Sequence, residues 1–142
     1  MVWDHEAAGS SPACPPLEGI PDKTLINNLM KIIKAKNWIK GESYQKRILL
    51  DKLNEKINLI EDIIISAQGC IPPHKHQFTQ EIFYITNNSA TMTIDNKKIK
   101  VSPGDMVYID KGEMHSFQNN SDEEFKMIVF KINFQTGDSF LK

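Results

Sequence analysis

Three of the four histidines in this 142-residue sequence lie in two short segments, His74-Lys75-His76 and the run that reaches His115. On an extended strand, side chains alternate between faces, so His74 and His76 direct both imidazoles to one side. Glu81 opens the apolar run EIFYIT, and after a short bend its carboxylate can return to that side. Three imidazoles and a carboxylate suit Fe, Mn, Ni, Cu or Zn, so the chemistry on offer is binding of one divalent transition metal per chain. Each residue also has an ordinary use. A strand histidine is commonly a hydrogen-bonded core or surface group, and Glu81 reads equally well as an edge charge. The second segment, GDMVYIDKGEMHSFQN over 104–119, adds weight because its histidine follows a tight turn late in the chain.

Such side chains need a rigid frame, and from about residue 44 the sequence supplies strands. Tyr44 to Lys52 and Leu59 to Ala67 are rich in aliphatic and β-branched residues. Strands are then expected at Glu81–Thr86, Ala90–Asp95, Lys98–Val101, Met106–Ile109, His115–Asn119 and Phe125–Phe134. Asn87-Asn88-Ser89 and Asn96-Lys97 carry hairpin turn chemistry, and Pro103-Gly104 and Lys111-Gly112 mark further tight turns. Pro72-Pro73 is expected to disrupt the strand leading to the histidines. Many short strands without intervening helices indicate an antiparallel sandwich or barrel.

The two histidine segments together resemble the cupin superfamily. Its first motif, G-x5-H-x-H-x3,4-E-x6-G, is matched by Gly69, His74, His76 and Glu81, with Gly69 one residue closer to the histidines and Asn88 in place of the last glycine. Its second, G-x5-P-x-G-x2-H-x3-N, is matched by Gly104, Gly112, His115 and Asn119, with Asp110 in place of the proline. No departure removes a ligand. Asn tolerates the left-handed backbone a turn glycine would adopt, and Asp110 can cap its turn through its own side chain. The resemblance implies an all-β fold, a cupin-type antiparallel β-barrel (double-stranded β-helix, or jelly roll). It also implies one metal held inside by His74, His76, Glu81 and His115. Asn119 or Gln118 would then support the imidazoles, and two open positions on an octahedral ion would make the site catalytic rather than structural. Cys70 shares the histidines' parity but reads first as a structural thiol. Phe83, Ile85 and Phe117 read first as packing. Tyr84, Tyr108 and Glu113 are near in sequence without a defensible placement.

The rest of the chain sets the context. Residues 1–21 hold four prolines and no lysine or asparagine, a composition expected of a flexible leader such as an expression vector adds. Residues 22–142 are expected to form one cupin domain, opened by a helix over 22–36 that Asp22 caps and whose apolar face is Leu25, Ile26, Leu29, Met30 and Ile33. A net charge of −1 argues against a nucleic-acid module, and in the basic stretch 23–56 the lysines Lys31, Lys34, Lys36 and Lys40 interleave with apolar residues as on a solvated helix face. No apolar run is long enough to cross a membrane, and two cysteines are too few for a disulfide scaffold. The expectation is a cytoplasmic homodimer with a small-molecule ligand or substrate. Its activity would be metal-dependent dioxygenase or isomerase/lyase chemistry on a small oxygenated organic molecule, or non-catalytic ligand binding or sensing.

Overall fold

The computed structural model describes residues 36–51 and 56–141. The expected leader and helix fall on residues outside these, apart from Lys36, and are not discussed further. Ten strands follow in chain order: β1 Ile39–Lys40, β2 Tyr44–Asp51, β3 Ile57–Ile65, β4 Cys70–His74, β5 Gln80–Asn87, β6 Ala90–Ile94, β7 Lys97–Val101, β8 Met106–Ile109, β9 His115–Gln118 and β10 Phe125–Ile132. They form a six-stranded sheet, β1-β2-β3-β10-β5-β8, and a four-stranded sheet, β4-β9-β6-β7. Every strand pairing is antiparallel. Strands distant in sequence are neighbours in both sheets, the jelly-roll arrangement expected from the sequence.

Strict alternation places one apolar face of each sheet inward. From β10 come Phe125, Met127 and Val129, from β3 Ile63 and Ile65, and from β5 Phe83 and Ile85. The facing sheet contributes Ile71, Met92, Val101 and Phe117. Phe117 joins the two layers, its ring 5.0 Å from that of Phe83 and 6.1 Å from that of Phe125. At one end of the six-stranded sheet the inward stripes turn polar. Lys131 ends the stripe of β10 and pairs with Glu81 of β5, while Glu61 of β3 pairs with Val129. All three charged residues are buried.

The structure differs from the sequence-based expectation at Pro72-Pro73. A strand does form there, but its ladder with β9 skips: Ile71 pairs with Phe117 and His74 with His115, three residues against two. Proline has no N–H to donate, and the extra residue is accommodated as a bulge. The bulge reverses side-chain parity, so Ile71 and His74 both face inward although they are three residues apart. Cys70 is thereby turned away from the histidines. Its backbone is instead bonded to Ser43, whose Oγ donates to the Cys70 carbonyl at 2.9 Å and accepts its N–H at 3.1 Å.

The motif positions that depart from pattern have physical substitutes. Asn88 adopts φ 64°, the conformation expected of the glycine it replaces, and its side-chain oxygen accepts the Ser89 N–H at 2.8 Å. Asp110 accepts the N–H of Lys111 at 2.7 Å and the Gln80 amide at 3.0 Å, which closes the turn without proline. Gly69 is required for space, since a Cβ there would lie 2.4 Å from the Ser43 carbonyl oxygen.

Candidate metal centre

Three strand ends and the loop that follows β4 meet at the polar end of the cavity. His74 ends β4, His76 lies two residues beyond it, Glu81 is the second residue of β5, and His115 opens β9. The β4–β9 ladder sets His74 directly opposite His115, with ring centroids 4.3 Å apart. His76 lies 5.1 Å from His74 and 5.6 Å from His115 by the same measure. The four residues each offer one ligand atom, and these atoms all lie within 4.8 Å of one another. His76, Glu81 and His115 are buried, and His74 is half-buried.

The second nitrogen of each ring is already engaged. Nδ1 of His74 meets the Pro72 carbonyl at 2.9 Å, Nδ1 of His115 meets the Glu113 carbonyl at 2.9 Å, and Nδ1 of His76 meets the Asp138 carbonyl. A carbonyl only accepts, so each Nδ1 carries the proton, and a neutral ring then presents the Nε2 lone pair. Nε2 of His115 and of His76 lie 2.7 and 3.3 Å from Oε2 of Glu81. None of these three buried atoms has an aligned hydrogen-bond partner. Lone pairs facing a carboxylate oxygen at such distances repel unless a positive charge sits between them. A divalent cation meets that need, and the donor set fits one.

Protonation states follow the same logic. Burial, helped by the neighbouring His115, pushes His74 down to about 4, so it is a neutral donor at pH 7. Burial also opposes charge on His76, yet its contact with Glu81 and the Asp138 carbonyl outweigh it and raise its pKa. Burial would raise Glu81, but His115, His76 and Lys131 together hold its carboxyl well below the usual carboxylate range. Glu81 is therefore an anion available to a cation.

A family model described as a cupin domain matches residues 63–131, which carry all four of these residues and strands β4 to β9. Residues 63–131 form a cupin domain. Among related proteins, the oxalate-binding protein of Thermotoga maritima is 28% identical over 96 residues, 66% of this chain and 79% of that protein. Quercetin 2,3-dioxygenase of Bacillus subtilis is 30% identical over 63 residues, 42% of this chain but only 19% of that enzyme. The solved structure of KdgF from Halomonas sp. superposes with a TM-score of 0.64 at 17% identity, covering 71% of this chain and 89% of KdgF. At that identity the likeness is one of fold.

The cupin cavity contains more chemistry than the four residues named from sequence. It has a volume of about 260 Å³ and is walled by Ile63, Phe83 and Phe117 beside the cluster. Glu61, Lys131 and Lys46 also line it, and the sequence reading passed over all three. A signal for two of them existed: Glu61 and Lys131 fall on inward-facing positions of β3 and β10, where a charge needs a reason. Asp138 was missed as well. Its carboxylate accepts the N–H groups of Gln77, Phe78 and Thr79 at 2.8, 3.0 and 2.8 Å and the Thr79 hydroxyl at 2.8 Å.

Asn119 and Gln118, expected beside the imidazoles, are elsewhere. The Asn119 amide donates to the carbonyls of Ile65, Ser66 and Glu123, and Gln118 donates to Gly69, so both fasten the loops at the far end of β9. Backbone carbonyls orient the rings instead. Phe83 and Phe117 line the cavity, Ile85 is wholly core, and Tyr84 and Tyr108 are exposed. Cys70 is half-buried and outside the cluster.

Proposed function

We propose that this cupin is a metal-dependent enzyme acting on a small oxygenated organic molecule, with His74, His76, Glu81 and His115 holding one divalent transition ion. The observation that carries the reading is the set of three imidazoles whose Nδ1 atoms are committed to carbonyls, with Nε2 of His76 and His115 facing the buried Glu81 carboxylate and His74 in the same cluster. When bound, the ion supplies Lewis-acid polarisation of a ligand oxygen or, as Fe or Mn, a route for electrons to dioxygen. The chain's own residues do the rest. Pro72, Glu113 and Asp138 fix the rings through their carbonyls, Phe83 and Phe117 exclude water, and Glu81 contributes the negative charge. Glu61, a carboxylate of the cavity lining outside the cluster, is paired with Lys46 and Lys131 and holds their ammonium groups in the cavity.

The name of the oxalate-binding relative favours a second reading, in which the site binds or senses a small ligand without turning it over. Dioxygen uptake and product analysis with small enols, diketones and hydroxy acids separate the two. Turnover abolished by His76→Ala and Glu81→Ala supports the enzyme. A wild-type protein with full metal that binds ligands but converts none of them supports the binder. In either case we propose a cytoplasmic homodimer, for which light scattering after size exclusion is the test. Among the described residues no helix is long and apolar enough to cross a membrane.

A further inference from the structure

Lys46, Glu61 and Lys131 form a second charged group in the cavity, apart from the four metal-ligating candidates. Glu61 lies between the two lysines, with Oε1 3.2 Å from Nζ of Lys46 and Oε2 3.0 Å from Nζ of Lys131. Lys131 also approaches Oε1 of Glu81 at 3.6 Å, which links this group to the histidine cluster. Glu61 and Glu81 are 3% exposed at their side chains and Lys131 is 10% exposed, whereas Lys46, at 35%, stands at the rim.

The charge count decides what the cavity accepts. With neutral imidazoles, Glu61, Glu81 and Asp138 outnumber Lys46 and Lys131 by one charge, and the cavity without an ion is singly negative. A divalent cation in the cluster reverses this and leaves one positive charge uncompensated beside the apolar walls of Ile63, Phe83 and Phe117. Buried charge of that kind is costly without a partner, so the loaded cavity is built for an anion. A lysine ammonium has three donors, and Lys46 makes one contact of this kind, to Glu61, so it retains donors for a ligand. A space of about 260 Å³ fits a small organic acid rather than an extended chain.

We infer that the ligand is a small organic acid, a dicarboxylate or hydroxy acid, held at two points, one oxygen terminus at the histidine cluster and a carboxylate at Lys46 and Lys131. This inference rests on the metal reading above, and the test separates the two. Malonate binding to zinc-loaded protein is measured by calorimetry, with neutral malonamide as the isosteric control and zinc content determined before and after. Malonate should bind and malonamide should not. Lys46→Met should weaken malonate by about 10- to 100-fold, the effect of one hydrogen bond to a charged group, with zinc retained at wild-type stoichiometry. Lys46→Arg should restore most of the affinity. Lys131→Met, checked for folding by circular dichroism because it strands Glu61, should weaken binding at least as much. Wild-type malonate affinity in Lys46→Met with zinc still bound, or equal binding of malonamide, would overturn the anion site alone. Failure of the wild-type protein to hold zinc would overturn the metal reading.

Discussion

Asp138 ties the C-terminal segment to the loop that separates two of the metal-ligating candidates, and its replacement by Asn is a sharp test of how the site is held. One carboxylate oxygen accepts the Gln77 N–H at 2.8 Å. The other accepts the N–H groups of Phe78 and Thr79 and the Thr79 hydroxyl, at 3.0, 2.8 and 2.8 Å. The backbone carbonyl of the same residue fixes Nδ1 of His76. Asp138→Asn keeps one acceptor but turns an NH2 group toward the remaining donors. Hydrogen bonds to a charged group contribute about 1.5–3 kcal/mol each and are not additive, so a loss of about 2–4 kcal/mol is expected. Because His76 rides on the same contact, metal affinity should fall by about 10- to 100-fold, as for other groups that orient a ligand.

The pH dependence has a definite sign. Burial would raise the Asp138 carboxyl, but Thr79 and the backbone N–H groups outweigh it and depress its pKa. A depressed carboxylate stabilises the fold above its unfolded pKa of about 4 and loses that contribution as pH falls through the folded value. Urea unfolding at pH 7 should therefore show the full gap between wild type and Asp138→Asn, and the gap should narrow below about pH 4. Equal stability and equal zinc affinity at pH 7 would refute the reasoning.

Three further substitutions distinguish support of the site from support of the fold. Asn119→Ala strands the carbonyls of Ile65, Ser66 and Glu123 that its amide serves, so it should lower stability by about 2–3 kcal/mol in chemical denaturation while metal content stays at wild type. Gly69→Ala places a Cβ 2.4 Å from the Ser43 carbonyl oxygen and should cost about 1–3 kcal/mol, measured as a lowered thermal midpoint. Cys70→Ala should leave metal stoichiometry unchanged by elemental analysis, because the bulge turns Cys70 away from the cluster. Metal lost on Cys70→Ala would mean that the parity argument is wrong.

The strands were legible because they are rich in β-branched and aliphatic residues and bounded by turn residues. FKMIVFKI of β10 buries every second residue, as does INLIEDIII of β3 from Leu59 on, while Ile60, Ile64, Ile128 and Phe130 stand half-buried on the opposite face. The histidine segments were legible because metal-type residues at fixed spacing leave few alternatives. Other features were hidden for identifiable reasons. Counting parity through Pro72-Pro73 put Cys70 on the wrong face, since a bulge is a property of the ladder with β9 and not of β4 alone. The supports of the imidazoles are carbonyl oxygens of Pro72, Glu113 and Asp138, and every residue has a carbonyl, so no side-chain type could announce them. Asp138 lies 62 residues from the ring it orients, in a segment without periodicity. Glu61 and Lys131 could have been found: each is a charge on an inward parity, legible once the strand is trusted.

One ion bound by His74, His76, Glu81 and His115 is the proposal on which the function rests. Anomalous X-ray scattering at the absorption edge of the metal found in protein purified without added metal tests it most directly. A single peak per chain is expected, about 2.0–2.2 Å from Nε2 of each histidine and from a Glu81 oxygen. A protein carrying no stoichiometric transition metal, or a peak anywhere else in the molecule, would contradict it.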